Sequence, residues 1–541
     1  MRRCFFVHLQ YILFAALAML PGMASAIAPC QVGTFQALGL PNTTVLLVES
    51  LAAGSYPQPV GTIDTAICRV RAVFDQRPGL GDFFEVWLPT STWNGKYQGE
   101  GNGGLAGSIT YSDMRAAVSR GYASSSTDTG HSSNAATDPW WRDALAIKDY
   151  GYRSIHETAV RSKAIIQAFY GRAPSLSYFN ACSTGGREAF MEAQRYPDDY
   201  DGIIAGAPVY RVIKLRARHV NTWQCNFLDS SGAHAIPVSK LRPIFEAVIA
   251  QCDHIDGLVD GQIDDPRRCH FDPASIQCVG ADDGRCLTAA QVETFRCIYK
   301  GAIDHNTGAL IYPGPPLGSE LDEAQNIGAV PNPQYTTFFA NTVFENPAYD
   351  FKTFRFPDDV TFSLNKQYGG ETLEFIHHAE SPDLRAFVSR GGKIIIWHGF
   401  SDPLPQPTDT IAYYGKLDKF FKHHDHGKHK KRVEDFARLF LLPNVGHCGG
   451  SAPGGPNTWD PLTALERWVE HGVAPEQIVA SRLTNGVVDR TRPICAYPKR
   501  ARYVGKGSIN DASNFVCKKG GFEDRDDDGK KGGRGDRDDD D

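Results

Sequence analysis

A short segment around residue 183 constrains the fold more than any other part of the sequence. Residues 175–180 have the apolar pattern of a strand, the turn ACSTGG follows, and a helical pattern continues through Ala193. A serine on a tight turn between a strand and a helix is typical of a nucleophile elbow, whose hydroxyl projects from the top of a parallel sheet. Ala181 stands where that motif usually has glycine, so the predicted turn is strained. Taken alone, an ordinary serine in a glycine-rich turn remains a serious alternative.

Two later segments contain the partners that a nucleophilic serine needs. Residues 392–397 have the pattern of a buried strand, and Asp402 follows them directly. Residues 438–442 predict another strand, just before His447. The chain order Ser, Asp, His is that of the α/β-hydrolases. We therefore predict Ser183 as the nucleophile, His447 as the general base and Asp402 as the acid that orients the base.

The alternation of strands and helices predicts an α/β-hydrolase fold with a large inserted lid domain. Residues 27–210 and 381–519 carry this alternation and are predicted to form the catalytic domain. Residues 211–380 are rich in Cys, Pro, Gly and Asp, with long irregular stretches, and are predicted to form the lid. Within the first part, Asn94 and Gly95 predict a hairpin turn after a strand at residues 83–88.

The N-terminus predicts export. Two arginines precede an apolar run at residues 11–20, and Ala24-Ser25-Ala26 is typical of a signal-peptide cleavage site, so residues 1–26 are predicted to be removed. Of the 13 cysteines only Cys4 lies in this segment, and the even number that remains favours disulfides. A zinc site is the weaker alternative, because no C-x-x-C pair occurs. We expect a secreted or periplasmic protein that is free of the membrane after cleavage.

Charge and local composition add three further expectations. The formal net charge is −6, without the basic footprint that a nucleic-acid partner requires. The charged, Gly-rich tail at residues 520–541 predicts disorder. The His-rich run at residues 422–432 is a candidate for transition-metal binding, but a solvated loop is the favoured interpretation, because clustering alone defines no ligand geometry.

Together these segments resemble the tannase and feruloyl esterase family. The resemblance rests on the Cys-Ser-x-Gly-Gly elbow and the Gly-His-Cys-Gly-Gly base loop. It extends to four other motifs: GNGG at 101–104, DTGH at 128–131, WHGFSD at 397–402 and RPICAYP at 492–498. It implies a serine esterase that acts on aromatic acyl esters, either hydroxycinnamates such as ferulate or gallates. Related esterases cleave terephthalate monoesters.

The reaction of such an esterase needs an oxyanion hole and a site for the aromatic ring. We expect the N–H group of Thr184, the residue after the nucleophile, to donate to the oxyanion, with a second donor at Gly103 or Gly104. Aromatic residues of the predicted lid are candidates for stacking on the substrate ring, although apolar packing explains each of them equally well. These candidates are Trp223, Tyr335, Phe338 and Phe339.

The predicted lid also contains an acidic segment with Asp253, Asp256, Asp260 and Asp264. Closely spaced carboxylates repel one another unless a hard cation such as Ca²⁺ neutralises them, and a solvated acidic turn is the alternative. The family resemblance implies a structural calcium ion here. It assigns carboxylate ligands to Asp253, Asp256 and Asp260, and main-chain carbonyl ligands to Leu258 and Gln262.

The resemblance further implies a disulfide between Cys182 and Cys448, which flank the nucleophile and the base. Two unrelated buried cysteines are the alternative. Cys252 and Cys269 bracket the acidic segment, and a bridge between them would hold that loop. The same family match suggests Cys30–Cys68, Cys278–Cys286 and Cys495–Cys517. Cys225 and Cys297 then pair only by elimination.

The sequence is also compatible with two other classes of protein. One is a catalytically silent, calcium-stabilised binding protein on an esterase scaffold. The other is a serine peptidase, because the same three residue types serve both reactions. Serine acylation tests the first alternative, and a comparison of matched ester and amide substrates tests the second.

Overall fold

The structure is a computed structural model that describes residues 27–226, 235–328, 330–424, 431–450 and 453–519. The predicted signal peptide and the charged tail lie outside these ranges, as does the centre of the His-rich run at 425–430. Within the described ranges, no helix combines the length and the apolar character that a membrane span requires.

A nine-stranded mixed sheet forms the centre of the protein. Its strands are β1 (Thr43–Leu51), β2 (Ile67–Arg77), β3 (Leu80–Pro89), β4 (Lys96–Glu100), β5 (Ala123–Thr127), β6 (Leu176–Cys182), β7 (Gly202–Gly206), β8 (Lys393–Gly399) and β9 (Ala437–Leu442). Their spatial order is β1-β2-β3-β5-β4-β6-β7-β8-β9. In this order, the pairs β1–β2, β2–β3 and β3–β5 are antiparallel. The remaining pairs, from β5–β4 to β8–β9, are parallel.

Helices connect and cover these strands. They are α1 (Val32–Gln36), α2 (Tyr111–Ser119), α3 (Ala144–Lys148), α4 (Ser154–Tyr170), α5 (Thr184–Arg195), α6 (Val212–Cys225), α7 (Leu241–Cys252), α8 (Ala289–Lys300), α9 (Pro333–Phe338), α10 (Asp358–Asn365), α11 (Leu373–His377), α12 (Arg385–Ser389), α13 (Pro407–His424) and α14 (Pro461–His471). Helices α6 to α11 belong to one long insert between β7 and β8. One apolar cluster lies within this insert, and a second packs the insert against residues outside it, among them Leu80, Trp140 and Tyr150.

The remaining strands lie outside the central sheet. After α14, the strands β10 (Gln477–Thr484), β11 (Val487–Cys495), β12 (Lys499–Tyr503) and β13 (Phe515–Lys519) form two antiparallel pairs. Three short antiparallel pairs are Gly54–Ser55 with Thr62–Ile63, Ala302–Ile303 with Leu310–Tyr312, and Gln367–Tyr368 with Glu371–Thr372.

The hairpin predicted at Asn94 and Gly95 is wrong, because β3 and β4 do not pair. Strand β5 lies between them, antiparallel to β3 and parallel to β4. Asn94 instead donates its backbone N–H to Gly121, just before β5, at 2.9 Å. Turn residues favour a local reversal of the chain, but they do not choose the pairing partner. The five residues of β5 are all buried, and the backbone of this strand is paired on both sides, with β3 and with β4.

The parallel half of the sheet brings three chain segments to one edge. The apolar residues Ile394, Ile395 and Ile396 of β8 are completely buried, as expected for a strand covered on both faces. In the register of the sheet, Cys182 and Trp397 both lie beside Gly206, while Gly399 lies beside Leu442. The loops that follow β6, β8 and β9 therefore begin at the same edge.

Six disulfides cross-link the described part of the chain. They join Cys30–Cys68, Cys182–Cys448, Cys225–Cys297, Cys252–Cys269, Cys278–Cys286 and Cys495–Cys517. The pair Cys225–Cys297, which only elimination suggested from the sequence, ties α6 to α8 inside the insert.

Candidate active site

Ser183 lies on a strained turn between the end of β6 and the start of α5. Its backbone has φ 66° and ψ −121°, a conformation that residues other than glycine rarely adopt. Such a turn presents the serine hydroxyl at the edge of the sheet. Alanine at position 181 is compatible with it because the neighbouring residues are glycines. A Cβ atom at Gly101 would lie 2.6 Å from the Ala181 Cβ, and one at Gly185 would lie 2.4 Å from it.

The structure brings the three predicted residues Ser183, His447 and Asp402 into one line of hydrogen bonds. The Ser183 Oγ lies 2.8 Å from Nε2 of His447. The Nδ1 atom of the same ring lies 2.7 Å from Oδ2 of Asp402. Because a carboxylate can only accept, the Nδ1 atom carries a proton, and Nε2 is then free to accept from the serine hydroxyl when the ring is neutral.

Asp402 is completely buried and is held in its charged form. Burial by itself would raise the pKa of this carboxyl group. The charge of His447 and the hydrogen bonds from His398 and His447 outweigh burial and lower the pKa to about 2. The backbone N–H of Leu404 also donates to Oδ1 at 2.9 Å. Asp402 is therefore a fixed negative charge beside the His447 ring.

His398 is a buried neighbour of Asp402 to which sequence reasoning assigned no role. Its Nε2 atom lies 3.2 Å from Oδ2 of Asp402 and 3.1 Å from the carbonyl oxygen of Pro405. Both neighbours only accept hydrogen bonds, so Nε2 carries a proton. Nδ1 lies 2.7 Å from Oγ1 of Thr410 on α13, which fixes the ring. The signal in the sequence was a histidine at the end of β8, four residues before the acid.

The predicted oxyanion loop is tied directly to the elbow. The Thr184 hydroxyl donates to the carbonyl oxygen of Gly104 at 2.7 Å, and the N–H of Gly185 donates to Asn102 at 2.7 Å. Gly104 has φ +58° and lines the cleft beside Thr184. Gly103 is exposed and leaves open space where a side chain would stand. This arrangement holds the loop close to the nucleophile.

A buried acid also holds the oxyanion loop through a hydrogen bond. Glu188 of α5 accepts the N–H of Asn102 on Oε2 at 2.9 Å. Burial raises the pKa of Glu188 to about 7, against the opposing effect of the Arg187 charge. The elbow helix and the oxyanion loop are therefore linked by both backbone and side-chain hydrogen bonds.

A cleft of about 360 Å³ opens above Ser183. Its wall is about half apolar and half polar, and three of the polar side chains come from the insert: Arg216, Gln334 and Tyr335. Among the aromatic candidates from the sequence, Tyr335 lines the cleft. The other three, Trp223, Phe338 and Phe339, are buried in the apolar cluster that joins the insert to residues outside it. Besides the elbow and His447, the cleft is lined by Gly104, Val209, Val212, Leu215, Leu404 and Pro405.

The acidic segment forms a compact loop after α7. The carboxylate of Asp253 accepts the N–H groups of Asp260, Gly261 and Gln262 at 3.0 to 3.2 Å. The Asp256 carboxylate accepts the N–H of Leu258 at 2.9 Å. The assigned ligand residues therefore lie on one folded loop.

The charges of this loop are only partly neutralised. Oδ2 of Asp260 pairs with Arg492 at 2.6 Å, but its Oδ1 is buried and has no hydrogen-bond partner in the described structure. Burial raises the pKa of Asp256, and the nearby Asp260 and Asp253 charges raise it further. A buried acceptor without a donor fits a hard cation, although the carboxylate oxygens of Asp253, Asp256 and Asp260 do not all lie within 4.8 Å of one another. Asp264 is half-buried; burial raises its pKa to about 7, and the Asp256 charge acts in the same direction.

The fold and this arrangement of side chains are those of an α/β-hydrolase with a large insert over its active-site edge. The order of the parallel strands, the strained serine turn at the end of β6, and the acid and histidine after β8 and β9 all agree with that class.

The chain belongs to the tannase and feruloyl esterase family, whose model matches residues 66–518. It is 36% identical to an uncharacterized esterase of Xanthomonas campestris pv. campestris over 93% of both chains. It is 32% identical to a mono(2-hydroxyethyl) terephthalate hydrolase of Piscinibacter sakaiensis, over 83% of this chain and 84% of that one.

A solved structure agrees with this assignment. The crystal structure of feruloyl esterase B from Aspergillus oryzae is similar with a TM-score of 0.80 and 28% identity, covering 89% of this chain and 100% of that one. The predicted fold is thereby confirmed. Membership of the family also confirms the predicted class of enzyme, a serine carboxylesterase of the feruloyl esterase and tannase type.

Proposed function

We propose that this protein hydrolyses esters of aromatic acids through an acyl-enzyme on Ser183. The observation that carries the proposal is the line of hydrogen bonds from Ser183 through His447 to Asp402, at 2.8 and 2.7 Å, on a strained elbow. A serine hydroxyl is a weak nucleophile unless a base takes its proton, and this geometry supplies that base.

The reaction proceeds in two halves. His447 Nε2 takes the proton of Ser183 as Oγ attacks the ester carbonyl carbon, and the carbonyl oxygen becomes an oxyanion. The N–H of Thr184 and an N–H of Gly103 or Gly104 donate to this oxyanion. When the intermediate collapses, His447 returns its proton to the leaving alcohol and Ser183 remains acylated. Water then repeats the same steps and releases the acid.

Asp402 acts through His447. Its buried negative charge keeps the Nδ1 proton in place and stabilises the imidazolium that forms in each half of the reaction. The low pKa of Asp402, about 2, means that this charge is present at every pH at which such an enzyme works.

Support for an aromatic acyl group comes from the cleft and the relatives. The apolar part of the wall and Tyr335 suit a planar ring. The relatives from Aspergillus oryzae and Piscinibacter sakaiensis are named for ferulate and terephthalate esters respectively, and both of these acids are aromatic. We therefore extend the proposal to hydroxycinnamoyl, galloyl or terephthaloyl esters.

The proposal also includes a structural calcium ion and export. Asp253, Asp256 and Asp260 would provide carboxylate oxygens, and Leu258 and Gln262 would provide carbonyl oxygens; the unpartnered Oδ1 of Asp260 supports this. A bound ion would neutralise the loop and hold it folded. The signal-like residues 1–26 and the six disulfides support a secreted or periplasmic location.

The test is hydrolysis of methyl ferulate, methyl gallate and a terephthalate monoester by the mature protein with calcium present and disulfides intact. We expect turnover that is lost in Ser183→Ala and kept in Ser389→Ala, a matched change at an exposed serine. Faster cleavage of a matched amide than of its ester would favour a peptidase. Absence of turnover and of serine acylation would contradict the proposal in favour of a binding protein.

A further inference from the structure

One wall of the active-site cleft carries a buried arginine. Arg216 of α6 is 3% exposed and lines the same cleft as Ser183. Its Nη2 donates to the Tyr150 hydroxyl at 3.0 Å. Its Nη1 is buried and has no hydrogen-bond partner among the described residues. A guanidinium group stays protonated even when buried, so a positive charge with a spare donor lies in the wall of the cleft.

This charge has no counter-charge within the described parts of the protein. Among those residues, no carboxylate oxygen lies within 4.0 Å of Arg216. Arg218, two positions later on the same helix, is equally buried but pairs with Glu323 at 2.6 Å. A buried charge without a partner is strongly destabilising, and a bound anion would remove that cost. The contrast within one helix therefore points to a partner that the chain does not supply.

A second buried donor without a partner belongs to another residue that lines the same cleft. Tyr335 of α9 is 4% exposed and lines the cleft, and its hydroxyl has no partner in the parts of the chain that the structure describes. Its ring stacks on His219, with ring centroids 3.6 Å apart. The ring centre of Phe338 lies 4.1 Å from the Arg216 guanidinium carbon. These contacts hold both donors in place before any ligand arrives.

We propose that Arg216 and Tyr335 form a subsite for a carboxylate group that the ester substrate carries in addition to its scissile bond. The inference rests on the proposed ester hydrolysis at Ser183 and defines its substrate class further. A carboxylate matches the planar fork of an arginine and neutralises its charge, whereas a neutral phenol leaves the buried charge uncompensated. The charged group can belong to the acyl part or to the alcohol part of the ester.

A purely structural role for Arg216 makes a different prediction. Arg216 donates to Tyr150, and the Tyr150 hydroxyl donates to the oxyanion-loop carbonyl of Gly104 at 3.1 Å. If Arg216 only holds Tyr150, its loss slows charged and neutral esters to the same extent. If it binds a carboxylate, its loss slows the charged ester selectively.

The experiment compares kcat/KM within pairs of nearly isosteric esters. In the acyl pair, monomethyl terephthalate carries a carboxylate and methyl 4-carbamoylbenzoate carries a neutral amide. In the alcohol pair, 4-carboxybenzyl acetate is compared with 4-carbamoylbenzyl acetate. We expect the charged member to be preferred about 10- to 100-fold in at least one pair, the range for a hydrogen bond to a charged group. The pair that shows the preference identifies the part of the ester that carries the carboxylate.

Variants identify the source of the preference. We expect Arg216→Gln to bring the charged-to-neutral ratio close to one, Arg216→Lys to keep part of it, and Tyr335→Phe to lower it several-fold. Tyr150→Phe should slow both members of a pair alike. Arg195→Gln, which removes a positive charge from the end of α5 without touching the cleft, should leave the ratio unchanged.

A ratio near one in both pairs for the unmodified enzyme would overturn the inference, as would a preference that survives in Arg216→Gln. If Arg216→Gln does not fold, the inference is tested by the charged-to-neutral ratios of kcat/KM for the unmodified enzyme and for Tyr335→Phe. If no ester turns over, the proposed ester hydrolysis is contradicted, but the carboxylate subsite is not. Calorimetric binding of monomethyl terephthalate and of its amide analogue to Ser183→Ala then tests the subsite by itself, and equal affinities would overturn it.

Discussion

Cys182 and Cys448 form a disulfide that joins the residue before Ser183 to the residue after His447. Their Cα atoms lie 5.8 Å apart, although 266 positions separate them in the sequence. The serine turn and the histidine loop follow different strands, β6 and β9, and the disulfide links them covalently. It therefore limits how far the Ser183 hydroxyl and the His447 ring can separate.

We expect the double variant Cys182→Ala/Cys448→Ala to lose kcat by at least about 10-fold, because a small displacement of reacting groups has a large effect on rate. Loss of a cross-link over such a long loop also lowers the free energy of unfolding, by up to about 5 kcal/mol in the chain-entropy model. The control Cys30→Ala/Cys68→Ala removes a disulfide away from the cleft and should lower Tm while keeping kcat. Equal kcat in both double variants would contradict the prediction.

Replacing Asp402 with asparagine should reduce kcat by about four orders of magnitude, the effect of losing the correct histidine tautomer in a Ser-His-Asp triad. The introduced side-chain amide would offer an N–H group to His447 or His398, and both rings already present protonated nitrogens to this position. Steady-state kinetics on the best ester measures the loss, and circular dichroism checks folding. A variant that retains more than about a tenth of the activity would show that Asp402 does not orient the base.

The contact between Ala181 and Gly185 predicts a sharp steric effect. A Cβ atom at Gly185 would lie 2.4 Å from the Ala181 Cβ and 2.9 Å from the carbonyl oxygen of Asn102. We expect Gly185→Ala to lower kcat at least about 100-fold or to prevent folding, and Ala181→Gly to rescue it in part. Gly415→Ala, where a Cβ meets nothing within 4 Å, is the matched control and should be neutral. Full activity of Gly185→Ala would show that the turn can relax.

Glu188 predicts a pH-dependent difference in stability. Burial raises its pKa from 4.5 to about 7, so the folded state holds a proton that the unfolded state has released between these values. The free energy of unfolding therefore decreases as the pH rises from about 5 to 8, by at most about 3 kcal/mol from this group. Glu188→Gln cannot ionise but can still accept the N–H of Asn102. As the pH rises over this range, we expect the Tm of Glu188→Gln to increase relative to that of the unmodified protein. Parallel curves of Tm against pH would contradict the pKa shift.

Calcium should stabilise the insert. We expect the Tm of chelator-treated protein to rise when calcium is restored. A free calcium concentration of about 100 times Kd would raise the free energy of unfolding by about 2.7 kcal/mol. Asp260→Asn, which changes a proposed ligand with a buried unpartnered oxygen, should abolish this response. Asp272→Asn, an exposed change elsewhere in the insert, should keep it. The same Tm in chelator and in calcium would rule out a structural ion at this loop.

Local features of the sequence were enough to predict the serine turn and the histidine loop of the candidate active site. The elbow turn at Ser183 and the histidine loop at His447 are short motifs whose chemistry depends on neighbouring residues, and their order along the chain matches the α/β-hydrolases. Helix α4, at residues 154–170, buries Ala159, Ile165 and Phe169 at helical spacing and ends at Gly171 in the left-handed conformation. These features were predictable because contacts within one turn or one strand determine them.

The sequence by itself determined the class of enzyme, because a strained serine turn, an acid and a histidine that each follow a strand leave few alternative folds. Only the tertiary structure decided which side chains pair across the chain. It placed β5 between β3 and β4, brought His398 onto Asp402, and left Arg216 without the acid that Arg218 has. Strand order and the pairing of buried charges depend on groups far apart in sequence that meet only when the core is packed, so no local pattern records them.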